Sequence, residues 1–200
     1  CTFSDNTATT LGAGMYNTDA TPVVINCTFS GNAAANSGGG MYNRSAAPSV
    51  TNCVFNTNTA TNNGAGMFNN DSLPVVTNCT FSKNSANNNG GGMYNNQSAP
   101  AVTNCILWGD LATAGGNEIY DAISDPVVTY SCVEGGYAGT GNISTDPLFV
   151  DAPNDDYGLQ FGSPCIDTGT SEGAPDADIL GIARPQDTGY DMGAYEYDGK

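Results

Sequence analysis

Apolar residues recur along the chain as short patches between Gly, Asn and Pro, without the spacing of a helix face. One patch contains Val24, Cys27 and Phe29, and a second has the form Gly-Met-Tyr-Asn. Adjacent strand residues point to opposite faces, and a bend at Asn26 separates Val24 from Cys27. We therefore predict that Val24, Cys27 and Phe29 all point inward. By the same rule Met41 points inward and Tyr42 outward. The pattern predicts short strands joined by turns.

The patches repeat with a constant period. A cysteine recurs every 26 residues, at Cys1, Cys27, Cys53, Cys79 and Cys105. CTFS-type and GGGMYN-type segments recur with it, and so does Pro-x-Val. A period between roughly 20 and 50 residues is typical of solenoids, propellers and arrays. Together with the turn-separated strands, it predicts an all-β, right-handed, single-stranded parallel β-helix (solenoid) with 26-residue coils and an irregular C-terminal cap.

Asparagine recurs at two positions of each coil. Asn26 is predicted to bend the chain, because Asn tolerates the left-handed conformation better than most residues. Amide side chains that stack in register hydrogen-bond along the column. We therefore predict two ladders, one of Asn26, Asn52, Asn78 and Asn104 and one of Asn32, Asn58 and Asn84.

The repeat becomes irregular toward the C-terminus. Cys105 and Cys132 are 27 residues apart, one more than the period, which predicts a local bulge. Residues 1–148 are assigned to the coils, and residues 149–200 to a closing segment of the same domain that covers the last rung. We expect the coils to continue in a longer chain.

The net charge is −16, and it is concentrated in one half. Residues 1–104 hold three acids and two bases, whereas residues 105–200 hold the other 17 acids and two bases. Nucleic-acid binding is not expected, because phosphate neutralisation requires Lys and Arg. No apolar run approaches the ~20 residues of a membrane span, so no membrane insertion is expected.

The chain contains no histidine, which removes Ser–His–Asp and Cys–His catalytic sets. Carboxylates pair in sequence at Asp155–Asp156, Asp176/Asp178 and Asp187/Asp191. Since Asp favours turns, we interpret these pairs as turn acids rather than as a catalytic acid and base.

Calcium is an open alternative for the acids of the closing segment. The candidate ligands are Asp151, Asp155, Asp156, Asp176 and Asp178, which lie in loops rich in Gly and Pro. Oxygen donors of this kind suit a hard cation. No other cofactor is predicted.

The cysteines that repeat are predicted to stack inside the solenoid. Neighbouring rungs bring Cα atoms near disulfide distance, but their Cβ vectors run parallel. An unbridged buried ladder is therefore favoured over disulfides. Cys132 and Cys165 fall outside the column and suggest no clear pair.

An outward aromatic column is the candidate binding site. Its members are Tyr16, Tyr42, Phe68, Tyr94 and Tyr120, and the flanking amides are Asn43, Asn69 and Asn95. Exposed rings beside amides suit sugars. The alternative is that loops of the same coil, or the tail, cover the column.

The repeat CTFSxNxAxxxGGGMYNxxxxPxVTN resembles the right-handed parallel β-helix repeats of bacterial surface proteins, which have a pectin-lyase-like fold. It is also similar to the repeats of polymorphic outer membrane proteins. The resemblance implies an extracellular or cell-surface location. Enzymes of this fold use an Arg base beside calcium-binding acids, or an Asp cluster with Gly-His-Gly and Arg-x-Lys; neither Arg44 nor Arg184 matches these patterns.

These observations favour a non-catalytic module for adhesion, glycan binding or structural display, with a polysaccharide or a host or cell-surface glycan as the expected partner. A polysaccharide lyase or glycoside hydrolase with its active residues outside these 200 residues is the alternative. A passive stalk is a third hypothesis.

Overall fold

The computed structural model describes residues 1–199 as an all-β parallel solenoid of five 26-residue coils, followed after an irregular stretch by a tail at residues 149–199. Each coil contributes four short strands, because its turn residues interrupt the chain four times. Coil 1 contains β1 (Thr2–Ser4), β2 (Thr7–Ala8), β3 (Met15–Thr18) and β4 (Val23–Ile25). Coil 2 contains β5 (Thr28–Ser30), β6 (Ala33–Ala34), β7 (Met41–Arg44) and β8 (Ser49–Thr51).

The later coils keep the same order of strands. Coil 3 contains β9 (Val54–Asn56), β10 (Thr59–Ala60), β11 (Met67–Asn70) and β12 (Val75–Thr77). Coil 4 contains β13 (Thr80–Ser82), β14 (Ser85–Ala86), β15 (Met93–Asn96) and β16 (Ala101–Thr103). Coil 5 contains β17 (Ile106–Trp108), β18 (Leu111–Ala112), β19 (Ile119–Ala122) and β20 (Val127–Thr129). Beyond them lie β21 (Cys132–Val133), β22 (Phe149–Asp151), a 3-10 turn (Ala152–Asn154) and β23 (Asp156–Leu159).

The strands stack into four parallel sheets, which form the sides of the solenoid. Sheet A has the order β1-β5-β9-β13-β17-β21, and sheet B runs from β2 to β18 through every corresponding strand. Sheet C runs likewise from β3 to β19, and sheet D from β4 to β20. Pairing keeps the 26-residue register, so Phe29 lies between Phe3 and Phe55. The predicted parallel solenoid is confirmed.

Four corners turn each coil, and each corner is a residue with positive φ. The corner after sheet D holds Asn26, Asn52, Asn78, Asn104 and Tyr130, with φ between 47° and 53°. The bend predicted at Asn26 is thus confirmed. The corner after sheet C holds Asp19, Ser45, Asp71, Gln97 and Ile123. Short polar side chains and glycine fill most corners, because they tolerate the left-handed region best.

The interior consists of like residues stacked on like. Phe29, Phe55 and Phe81 are fully buried, and their rings stack with centroids 4.6 Å apart. Such contacts add about 0.5–1.5 kcal/mol per pair beyond area burial. Val24, Cys27 and Met41 are buried as well, so the predicted inward positions are confirmed.

The ladder predicted for Asn32, Asn58 and Asn84 is present and continuous. Nδ2 of Asn32 donates to Oδ1 of Asn58 at 2.9 Å, and Asn58 donates in the same way to Asn84 at 2.9 Å. The corner asparagines behave differently. Asn104 donates to Asn78 at 3.3 Å, but Asn78 donates to the carbonyl of Asp191 in the tail. This column therefore fastens the tail instead of forming the predicted continuous ladder.

The fifth coil keeps the 26-residue period, and the predicted bulge there is wrong. Cys132 pairs with Ile106, one position beyond Cys105. Ser131 takes the cysteine's place in the column, because its Oγ accepts from the backbone N of Cys105 at 3.0 Å. Cys132 faces out of the solenoid and packs against Cys165 and Met192 of the tail. All seven cysteines of the described chain are free.

The tail runs along the side of the solenoid, on the outer face of sheet A. Val54, Thr80 and Ile106 point outward there and are almost completely buried. Ala194 N donates to Thr80 Oγ1 at 3.1 Å, and Gly193 N donates to the carbonyl of Asn104 at 2.8 Å. The sequence predicts that this segment covers the last rung. That role stays a prediction. Tyr137, which precedes the tail, packs against the hydrophobic core of the coils.

Candidate functional site

The aromatic column lies on the outer face of sheet C, as predicted from the alternation along the strand. Its five rings stack continuously, with centroids 4.9–5.3 Å apart and planes within 10° of parallel. Each ring therefore covers the faces of its neighbours. At the corner before the strand, Gly38 (φ 70°) lets the backbone approach Tyr42, whose Cβ would be 2.7 Å from an added Cβ.

The column is much less accessible than an open sugar platform requires. Tyr16 at the first coil is 43% exposed, but Tyr42 is 8% and Phe68 9% exposed. Burial is the main cause that raises the pKa of the Tyr42 and Tyr94 phenols above the ordinary value. The rings of the middle coils are covered by one another, and the ligand-binding role of the column stays a prediction.

The asparagines expected to flank the column at the surface are inside the solenoid, so that placement is wrong. Asn43, Asn69 and Asn95 are fully buried. Nδ2 of Asn43 donates to Asn69, and Nδ2 of Asn69 donates to Asn95, each at 2.8 Å. They form a second interior ladder, which begins at Asn17 and ends at Asp121. Their amides are occupied and face away from any external ligand.

The five acids proposed for calcium do not converge. Asp178 is buried, and its Oδ1 accepts from the backbone N of Leu180 and of Ile182, each at 2.8 Å. Asp155 instead pairs with Lys83 at 3.2 Å. Within residues 1–199 no group of three or more Asp, Glu, His or Cys is placed to hold a metal ion. Calcium binding stays a prediction for Asp151, Asp155, Asp156, Asp176 and Asp178.

The two arginines have unrelated environments. Arg44 ends β7 and is exposed. Arg184 is buried in the tail, where its Nη1 lies 2.7 Å from Glu196 Oε2 and its Nη2 donates to the carbonyl of Gly193. The acids of the tail likewise make hydrogen bonds within the tail. Asp191, for example, accepts from the backbone N of Asp167 and of Tyr197.

Sequence reasoning missed a groove between sheet D and the tail. Its floor is the outer face of strands β12, β16 and β20, and its wall is the loop at residues 170–173. The volume is about 380 Å³. Its lining residues are Val75, Thr77, Thr103, Val127, Thr129, Tyr130, Thr170, Glu172 and Gly173.

The groove combines apolar floor positions with a row of hydroxyls. The Oγ1 atoms of Thr103 and Thr129 lie 3.3 Å apart, and either can donate to the other. Tyr130 adds an aromatic ring to the lining, and Glu172 supplies its one charged side chain. The repeated Pro-x-Val-Thr segment places the outward residues of the floor at its x and Thr positions. The wall comes from a loop distant in sequence, so no local pattern indicated a groove.

Comparison with protein-family models, with curated proteins and with solved structures finds no match to this chain. Among residues 1–199, no helix has both the length and the apolar character needed to cross a membrane.

Proposed function

We propose that this chain is a non-catalytic module of an extracellular or cell-surface protein, and that it binds neutral glycans in the groove beside sheet D. The observation that carries the proposal is the groove itself, with uncharged Val and Thr side chains on its floor and Tyr130 in its lining. The right-handed coil and the exported location belong to the proposal on the strength of the sequence resemblance.

The chemistry of the groove favours a neutral sugar over other ligands. Ligand sites are commonly cavities of roughly 300–1,000 Å³ that join apolar walls to a few polar groups. Threonine hydroxyls both donate and accept hydrogen bonds, as sugar hydroxyls do. A polyanion is disfavoured, because the chain carries a net charge of −16 and the lining includes Glu172.

The groove supports glycan binding better than the aromatic column does. A sugar ring packs on the face of an aromatic ring, and the faces in the column are occupied by the stacking of one ring on the next. Tyr16 is the exception, since it is 43% exposed at the first coil. The column is therefore a second surface to test rather than the main site.

The test is gel retardation with a panel of neutral and acidic polysaccharides, with and without calcium. Thr103→Val combined with Thr129→Val removes two hydroxyls and keeps the side-chain shape. We expect retardation by a neutral polysaccharide to weaken by roughly tenfold, because each lost hydrogen bond contributes about 0.5–1.5 kcal/mol. Thr51→Val, at the same register position on β8 but outside the groove lining, is the matched control and should bind normally.

Other outcomes would replace the proposal. Retardation lost in Tyr42→Ala combined with Tyr94→Ala, but kept in the groove variant, would assign binding to the aromatic column. The absence of retardation with every polysaccharide would favour a passive stalk. New reducing ends or unsaturated uronides would favour the lyase or hydrolase alternative.

A further inference from the structure

The interior ladder of Asn32, Asn58 and Asn84 ends in a carboxyl group instead of an amide. Asp110 occupies the next position after Asn84, and its Oδ1 accepts from the backbone N of Asn84 at 2.7 Å and from Nδ2 at 2.8 Å. Asp110 is 1% exposed. The acid thus continues the ladder through one oxygen, deep inside the fifth coil.

The second oxygen of Asp110 stands where the other coils have an amide nitrogen. Nδ2 of Asn84 lies beside Gly66, 3.2 Å from the position of an added Cβ, and Oδ2 of Asp110 lies beside Gly92, 2.6 Å from the equivalent position. The amide nitrogen of Asn84 also donates to the carbonyl of Phe55 at 2.9 Å. An ionised carboxylate has no hydrogen to donate from that position.

A second buried acid lies against Asp110. Glu118 is 3% exposed, and its Oε1 accepts from the backbone N of Asp110 at 3.1 Å. Oδ2 of Asp110 and Oε2 of Glu118 are both buried and have no hydrogen-bond partner within residues 1–199. The next charge facing the pair is a third acid, Glu134, whose Oε2 accepts from the backbone N of Gly109. Neither of the two salt bridges in the described chain reaches the pair.

We propose that Asp110 and Glu118 hold protons as a pair in the folded solenoid, sharing one near neutral pH, and that the fifth coil loosens as the pH rises and the pair gives its protons up. Two ionised carboxylates side by side and out of water repel each other, and each also loses its hydration. A shared proton removes one charge and supplies the donor that the two free oxygens lack. At the end of the other interior ladder both oxygens of Asp121 have donors, since Oδ1 accepts from Nδ2 of Asn95 at 2.8 Å and Oδ2 accepts from the Tyr137 hydroxyl at 2.6 Å.

The direction of the pH effect follows from the burial of the pair. Burial is the largest cause that raises the pKa of Asp110, to about 7, and it raises the pKa of Glu118 to about 11 with help from the charge of Asp110. The two groups titrate as a pair. Because unfolded carboxyls titrate near 4, the folded state holds more protons above that pH. Stability is therefore fullest below about pH 4 with respect to this pair, and it falls as the pH rises toward 7 and beyond.

The experiment compares thermal melting of the full chain at pH 5 and pH 8.5. Asp110→Asn restores the amide of the ladder, and we expect it to raise the melting temperature at pH 8.5 by roughly 4–10 °C with a much smaller effect at pH 5. Glu118→Gln is the second variant and should reduce the pH dependence in the same way. Asp121→Asn is the matched control, since it also ends an asparagine ladder, and it should leave the pH dependence unchanged.

Infrared spectroscopy gives a direct readout of the proton. The wild-type chain should show a protonated carboxyl band at pH 7 that is lost in Asp110→Asn. The proposal is overturned if that band is absent and if Asp110→Asn and Asp121→Asn shift the melting temperature equally. It is also overturned if calcium or sodium ions raise the melting temperature at pH 8.5 in the wild type but not in Glu118→Gln, since a cation would then occupy the pair.

Discussion

A buried asparagine of the interior ladder makes hydrogen bonds that an apolar residue cannot replace. Asn58 donates through Nδ2 to the carbonyl of Phe29 and to Oδ1 of Asn84, each at 2.9 Å. Its Oδ1 accepts from the backbone N and from Nδ2 of Asn32. Each side chain therefore joins its own coil to both neighbouring coils by hydrogen bonds inside the solenoid.

Asn58→Ala should destabilise the solenoid by about 3 kcal/mol, because it leaves several buried polar groups without partners at roughly 1–3 kcal/mol each. Chemical denaturation measures the free energy of unfolding. Asn62→Ala is the control, since Nδ2 of Asn62 makes the same kind of contact with Asn36 at 2.9 Å, but in an exposed ladder. It should cost less than about 0.5 kcal/mol. Equal losses in the two variants would contradict the role of burial.

At the scale of the strand and its corner, one residue type does not suit the backbone conformation of its position. The corner after sheet C holds Asp, Ser, Asp and Gln in the first four coils, but Ile123 in the fifth, with φ 54°. A β-branched side chain is strained in the left-handed region. The side chain is also 88% exposed, so no packing compensates for the strain.

Ile123→Asn should therefore stabilise the chain, by about 1 kcal/mol, because Asn tolerates this conformation. Val127→Asn is the control: Val127 is also exposed, at 62%, but lies in strand β20, where its backbone is extended. That change should be neutral or destabilising, since Asn is disfavoured in strands. The melting temperatures of the two variants show whether the stabilisation is specific to the corner position. A loss of stability in Ile123→Asn would show that the corner is not strained.

Side-chain directions within the strands were predictable where the alternation of inward and outward residues was applied to every position. Alternation along the strand placed Met41 inward and Tyr42 outward, and the same rule places Asn43 inward, where it is buried. The surface role expected for Asn43 therefore departed from the rule that predicted its neighbours. The predicted bulge failed similarly, because counting from Cys105 to Cys132 followed the residue type, whereas the coil kept its period and put Ser131 in the column. The handedness stays a prediction.

At the scale of the whole molecule, the position of the tail depends on contacts that no local rule reports. Asn78 and Asp191 are 113 residues apart when they form their hydrogen bond. The repeat carried one indirect sign of the covered surface. The outward position held by Thr2, Thr28 and Thr80 is apolar at Val54 and Ile106, which the tail covers. The groove beside sheet D was invisible for the same reason, because its wall belongs to the tail.

The tail is held together by a buried ion pair whose loss should separate its stability from that of the coils. Arg184 and Glu196 have side chains 0% and 1% exposed, and Arg184 also binds the carbonyls of Asp191 and Gly193. Those carbonyls are the ones to which Asn78 donates. Glu196→Gln removes the ion-pair partner of the buried guanidinium, and breaking a buried pair in this way typically costs about 3–5 kcal/mol.

Hydrogen exchange should then accelerate across residues 176–197 in Glu196→Gln, while the amides of β1 to β8 keep their protection. Coils of a solenoid interact chiefly with their neighbours, so a defect beside coils 3 to 5 does not reach the first two coils directly. Asp155→Asn, which breaks the exposed pair with Lys83, should change exchange little, because exposed ion pairs contribute about 0–1 kcal/mol. Equal acceleration in the tail and in β1 to β8 would instead mean that the tail and all five coils unfold as one cooperative unit.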